Sequence, residues 1–263
     1  TFYNRATQEK TAPGSTYKML SSVAGLTEGV INGNSYISCS GVFDKITPSP
    51  KCWIYPSAHG SLNVVGALQH SCNDFFYEVG YRLGQDSNGN YDSDTGLEKL
   101  AKYAKMFGFG ATSGLSELEY KPKISDNSAV MSAIGQGKND YTPSQIARYA
   151  TTLVNQKKCY NLNLVGKIKS SDGKKEKTNK AKVHNKVSIA STTWDAVYKG
   201  MYGVVNGSQS SISQYFKSLK EDGIQVAGKT GTAQENKSKP NHALFISFAP
   251  YNNPEICTTV VIP

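Results

Sequence analysis

The apolar residues of this chain change their period once, and that change restricts the fold. From residue 14 to about 160 they recur at spacings of three and four. Leu20, Val23, Ala24 and Leu26 follow Pro13-Gly14, and Leu62, Val65 and Leu68 follow Ser61, which reads as their helix cap. Phe75, Phe76, Val79 and Leu83 form a third stripe from Asp74. Thr142-Pro143-Ser144-Gln145 is a capping box with proline at the first helical position, ahead of Ile146, Tyr149, Ala150, Leu153 and Val154. A last stripe carries Trp194, Val197, Met201 and Val205. After Gly223 the pattern becomes short β-branched and aromatic runs, at 224–233, 243–249 and 255–262, the last two separated by Tyr251-Asn252-Asn253-Pro254. Helices followed by antiparallel strands predict an α+β architecture, a helical subdomain packed on an antiparallel sheet, and not alternating βαβ units.

With 263 residues, no internal repeat and no clean linker, the economical reading is one domain over 1–263. The net charge of +9 suggests a nucleic-acid partner until it is located. Residues 157–186 hold ten Lys against Asp172 and Glu176, a net +8 that leaves +1 for the rest. That stretch is rich in Gly, Ser and Asn and poor in aromatics, so it reads as a solvated hairpin or flap and not as a nucleic-acid surface. No run of about 18 apolar residues and no signal-like N-terminus occurs, so any membrane anchor is expected outside these residues.

Three short motifs stand at places where chemistry can be built. Ser15-Thr16-Tyr17-Lys18 opens the first helix, and its spacing puts hydroxyl and amine on one face. The amine can act as general base only when neutral, which burial or a second lysine would favour. Ser71-Cys72-Asn73 lies between two helical stripes. Lys229-Thr230-Gly231-Thr232 lies in a strand-like run, where the glycine lets a substrate approach the backbone. Singly, these are an ordinary helix face, a helix cap and a surface strand. Together and in this order they carry more.

The combination resembles the penicillin-binding transpeptidases and serine β-lactamases. Further matches are Asn4-Arg5-Ala6, Pro13-Gly14, His59-Gly60, Phe75-Phe76-Tyr77-Glu78, Gly135-Gln136-Gly137, Gly200-Met201, the run from Gly228 to Gln234, and Asn241-His242-Ala243. They make the chain similar to class B, elongation-type penicillin-binding proteins 2. The resemblance implies the β-lactamase/transpeptidase-like fold and no cofactor for catalysis. Ser15 would be the acylated nucleophile, Lys18 its base, and Ser71 and Asn73 the proton relay and amide contact. Lys229 would shape the electrostatics, Thr230, Gly231 and Thr232 would bind the substrate or β-lactam carboxylate, and the amides of Ser15 and Thr232 would form the oxyanion hole. The implied reaction cross-links D-Ala-D-Ala stem peptides of peptidoglycan and is blocked by β-lactams. The implied setting is membrane-anchored and extracytoplasmic, with a SEDS-type glycosyltransferase as partner. The N-terminal strands and C-terminal helix of such domains have no counterpart in these 263 residues.

Rival readings remain. Gly223 to Thr230 fits the phosphate-binding pattern G-x-x-x-x-G-K-[ST], but a helix-like stretch precedes it and a strand-like one follows, the reverse of a phosphate loop. A β-lactamase of the class A kind would need a Glu-x-x-Leu-Asn segment, and none of the ten Glu residues stands in one. A β-lactam sensor, which acylates without cross-linking, is a further alternative. Cys39, Cys52, His59 and Cys72 make a Cys3His set suited to tetrahedral Zn²⁺, with the last residue inside the Ser71-Asn73 motif. A Cys39–Cys52 disulfide and free thiols are the alternatives. Cys159 and Cys257 receive no role, His70 and His184 read as surface, and His242 reads as structural.

Overall fold

A computed structural model describes residues 3–233 and 241–263; Gln234, the last residue of the strand motif quoted above, lies outside them. The chain starts with the short helix α1 (Arg5–Gln8). A 3-10 turn over Gly14–Tyr17 runs directly into α2 (Lys18–Thr27). The hairpin strands β1 (Ile37–Cys39) and β2 (Gly60–Leu62) precede α3 (Val64–Gln69), α4 (Asn73–Leu83), α5 (Ser93–Met106), α6 (Ala129–Ser132) and α7 (Pro143–Asn155). The lysine-rich stretch pairs β3 (Lys158–Tyr160) with β6 (Val183–Lys186), and β4 (Lys167–Lys169) with β5 (Glu176–Thr178). Helices α8 (Ser191–Asn206) and α9 (Lys217–Glu221) lead to β7 (Ala227–Ala233), β8 (His242–Ala249) and β9 (Ile256–Ile262). These last three form one antiparallel sheet in the order β7-β8-β9, with Lys229 opposite Ile246 and Phe245 opposite Val260.

Local signals decide several boundaries. The Thr142 box forms as its sequence requires. The Thr142 side chain accepts from the Gln145 amide, and the Gln145 side chain returns the bond. Two expectations need correction. Ser61 lies in β2, and the cap of α3 is Asn63, whose side chain accepts from the Gly66 amide. Helix α4 begins at Asn73, not Asp74, and its cap is Cys72, whose sulfur accepts from Phe75. A one-faced stripe also understates α2. Residues Lys18 to Gly25 are all buried, because the helix runs through the middle of the molecule against α4, α5 and α8. Its polar residues satisfy themselves there. Ser21 donates to Ala133 O at 2.6 Å and Ser22 to Lys18 O at 2.8 Å.

The turn that starts α2 is wedged between β7 and the loop after α6. Gly14 has φ +51°, and a Cβ there would collide with the Thr232 carbonyl. Its amide donates to Gly135 O at 3.1 Å, and a Cβ on Gly135, at φ +76°, would in turn strike Gly14 O. From the other side Tyr149 of α7 uses one hydroxyl twice. It donates to Thr16 O at 3.0 Å and accepts from the Leu20 amide at 3.2 Å. The first residues of the central helix are therefore held at fixed distance from β7.

Candidate functional site

A cleft of about 660 Å³ opens between the helical part and β7. It is lined by Ser15, Ser71, Asn73, Thr230, Gly231 and Thr232 among others. All three motifs named above meet here. Lys18 and Lys229 are fully buried beneath it. Lys229 sits in the middle of β7, and the chain continues as strand from Thr230 to Ala233, so no helix opens at this motif to present free amides to a phosphate.

Ser71 is the meeting point. Lys18 Nζ lies 3.2 Å and Lys229 Nζ 3.0 Å from its Oγ. Lys18 also donates to Asn73 Oδ1 at 2.6 Å and to Ser71 O at 2.7 Å, while Lys229 donates to Thr230 O at 3.0 Å. Among the described residues, the side-chain hydrogen bonds of Lys18 Nζ are thus with Ser71 and Asn73 and not with Ser15 Oγ, and the centroid of the Phe76 ring lies 5.6 Å from it. Catalytic hydrogen bonds commonly tighten only when substrate binds. Ser71 itself has φ +52°, a left-handed conformation for a residue with a Cβ, which costs on the order of 1 kcal/mol. That conformation turns its carbonyl toward Lys18.

Burial sets the electrostatics. Removal from water pushes the Lys18 amine down to about 7, with the nearby Cys72 and Cys52 opposing the shift. Burial, and then repulsion from Lys18, hold the Lys229 amine well below the lysine range. Near neutral pH, Lys18 is thus divided between a form that can accept a proton and one that can donate it.

Trp53 went unnoticed in the sequence. Its indole N–H lies 3.1 Å from Ser71 O and 3.2 Å from His70 O, so the carbonyl that holds Lys18 also receives Trp53. Nothing in the local pattern marks this bond, which joins residues 18 positions apart. His70, expected on the surface, instead lines the cleft, because the helix α3 ends there. His242 is buried, with Nδ1 3.0 Å from Thr11 Oγ1.

The four metal-type residues also converge. One donor atom from each of Cys39, Cys52, His59 and Cys72 lies within 4.8 Å of all the others, and all five cysteines of the chain are free. His59 Nδ1 is 3.5 Å from the Cys39 sulfur and 3.6 Å from that of Cys52. A hydrogen bond with Cys72 holds the Cys52 thiol down to about 4, and the same bond, with burial, pushes Cys72 up. The cluster grips the second motif from both sides. Cys72 caps the helix that starts at Asn73, and the Asn73 amide donates to the Cys52 sulfur at 3.3 Å.

The family model described as "Penicillin binding protein transpeptidase domain" matches residues 1–263. The chain belongs to this family. Among its relatives, the peptidoglycan D,D-transpeptidase MrdA of Haemophilus influenzae is 29% identical over 99% of this chain and 42% of its own length. A crystal structure of Pseudomonas aeruginosa PBP2 in complex with WCK 5153 aligns with TM-score 0.80 and 25% identity, covering 99% of this chain and 58% of that one. An imipenem acyl-enzyme complex of penicillin-binding protein A from M. tuberculosis aligns with TM-score 0.78 and 24% identity, over 99% of this chain and 57% of that one. The chain spans less than half the length of the curated MrdA relatives it matches. The transpeptidase-domain fold and the α+β arrangement expected from the sequence both hold.

Proposed function

We propose that this chain is the acyl-transfer domain of a peptidoglycan D,D-transpeptidase. Ser15 Oγ attacks the carbonyl of the penultimate D-Ala of a stem peptide, and its proton passes to neutral Lys18 Nζ. The C–N bond then breaks, and the proton travels through Ser71 Oγ, between the two amines, to the departing D-Ala amine. The amine of a neighbouring strand attacks the resulting Ser15 ester, gives up a proton by the same route, and leaves the cross-linked amide and free Ser15. Thr230 and Thr232 receive the terminal carboxylate, Gly231 keeps the strand surface open to it, and Asn73 contacts the substrate amide. The amides of Ser15 and Thr232 stabilise the oxyanion, a type of contribution of about 3–4 kcal/mol. The observation that carries this reading is the approach of both Lys18 and Lys229 to one serine hydroxyl in a buried site. β-Lactams would acylate the same Ser15. Intact mass after treatment with benzylpenicillin should rise by one penicilloyl group, and Ser15→Ala should show none. An unmodified wild-type protein would end the proposal, and fast turnover of the adduct would favour hydrolysis over transfer.

We further propose that Cys39, Cys52, His59 and Cys72 hold a structural zinc ion. A tetrahedral thiolate site with Zn–S near 2.3 Å needs donor separations of about 3.8 Å, close to those the cluster already has. His59 Nδ1 faces the sulfurs, and three buried thiols stand together without a disulfide. The ion would order the segment before Asn73 and take no part in bond making. Metal analysis of protein purified without chelator should give one zinc per chain, lost in Cys39→Ser; no zinc in either would refute it. The described residues contain no helix long and apolar enough to cross a membrane. Membrane anchoring, an extracytoplasmic site and a SEDS-type glycosyltransferase partner are proposed for the longer protein on family resemblance.

A further inference from the structure

The segment that joins β1 to β2 has a part in neither the acyl-transfer steps nor the metal set, apart from Cys52 and His59. It nevertheless delivers Lys51 and Trp53 to the cleft lining. We propose that these two residues form a second anion subsite, which binds a carboxylate of the stem peptide upstream of the D-Ala-D-Ala bond. The inference rests on the acyl-transfer reading of the cleft.

Charge is the first argument. Among the described residues, no Asp or Glu lines this cleft, and Lys51 is its one lysine or arginine. The Lys51 ammonium makes no ion pair among the described residues, and its recorded partner is the ring of Tyr55, 4.1 Å from the centroid. A ligand of this cleft meets a standing cation with no internal counter-ion. The terminal carboxylate of the substrate belongs at Thr230 and Thr232 on β7, so Lys51, beside the Ser71 and Asn73 loop, is left for a different anion.

Rigidity is the second. Lys51 is fixed by its backbone. It pairs with Val42 in an isolated antiparallel bridge, and its carbonyl accepts from Tyr77 Oη at 3.3 Å. The next residue, Cys52, is buried and accepts the Asn73 amide. Trp53 is 61% exposed although its N–H is consumed by Ser71 O and His70 O. An exposed indole with its polar edge already engaged has only its apolar ring to offer, a flat platform for the aliphatic part of a peptide side chain. A cation held beside such a platform suits a carboxylate at the end of a short alkyl stem. Its registration to Ser71 and Asn73 ties recognition to the catalytic loop.

Peptidoglycan stem peptides carry upstream carboxylates in two places. One is the α-carboxylate of a γ-linked D-Glu, and the other is the second carboxylate of a diamino-dicarboxylic acid at the third position. Both offer Lys51 the same chemistry, whereas a lysine at the third position offers a repelling ammonium. The test uses N-acetylated stem-peptide analogues ending in D-Ala-D-lactate. Each upstream carboxylate is left free or converted to its amide, and D-lactate release gives KM and kcat for wild type, Lys51→Met and Lys51→Arg. Amidating the recognised carboxylate should raise the wild-type KM about fivefold, the upper range for a solvent-accessible charge pair, with kcat little changed. In Lys51→Met the free and amidated peptides should have equal KM, and Lys51→Arg should restore the difference. The position whose amidation matters identifies the source. The subsite is refuted if neither amidation alters the wild-type KM, or if Lys51→Met weakens free and amidated peptides alike. Failure of the acyl-transfer reading would look different: wild type would release no D-lactate from any peptide.

Discussion

Replacing Lys18 by Met separates the electrostatic cost of this site from its chemistry. Lys18 is fully buried, and its amine falls from the usual 10.5 to about 7. A group with a depressed folded-state pKa contributes stability that is fully present above the unfolded value and is lost as pH falls through the folded value. Between pH 7 and about 10 the unfolded chain therefore holds a proton that the folded chain has released, and wild-type stability climbs with pH. The full shift of 3.5 units corresponds to about 5 kcal/mol. Over the accessible window from pH 7 to pH 9, with the folded group already half neutral at pH 7, about 2 kcal/mol should appear. Groups remote from Lys18 are shared and cancel in the comparison, and Lys229, which Lys18 also lowers, is held down first by its own burial in both proteins. Urea unfolding of wild type and Lys18→Met at pH 7, 8 and 9 should give two curves that diverge by that amount, wild type gaining with pH, while Lys18→Met forms no penicilloyl adduct. Parallel curves would refute the claim that burial lowers this amine to about 7.

Tyr149→Phe leaves both Thr16 O and the Leu20 amide without their buried partner. At about 1 kcal/mol each the loss should lower Tm by roughly 4–8 °C, measurable by calorimetry; an unchanged Tm would contradict the anchoring described for the nucleophile turn. Trp53→Phe keeps an aromatic ring beside His59 and His70 but removes a donor from Ser71 O. Acylation by benzylpenicillin should slow roughly 2–10-fold with the far-UV spectrum unchanged, and a wild-type rate would show the indole bond to be idle.

The parts of this fold that were legible in the sequence are those encoded within a few residues. The capping box at Thr142, the stripe of α8 and the apolar runs that became β8 and β9 depend on near neighbours and form within a residue or two of where they were read, while β7 begins at Ala227, three residues inside the run from Ile224. Errors came where two residues one or two positions apart could serve one purpose. Ser61 and Asn63 are both competent caps, and only pairing of β2 with β1 removes the former from contention. Burial of α2 on every face from Lys18 to Gly25 was hidden by Ser21 and Ser22, whose hydroxyls bond to backbone oxygens and so cost little inside. The three motifs and the Cys-His set could be singled out because their residue types are chemically unusual together. Their convergence on Ser71 Oγ spans 158 positions to Lys229, a distance no periodicity reports. Trp53 escaped for the same reason, since its place in the cleft rests on the distant carbonyls of His70 and Ser71, whereas the place of His70 follows from its position next to Ser71.

The central claim is that a neutral Lys18 removes the Ser15 proton. The most direct measurement is the rate of penicilloyl adduct formation by intact mass from pH 5 to pH 9. With the amine near 7, the rate should rise about tenfold per pH unit at the acid end, bend close to pH 7 and level off above pH 8. A rate that is flat from pH 5 to pH 7, or still climbing tenfold per unit at pH 9, would contradict it.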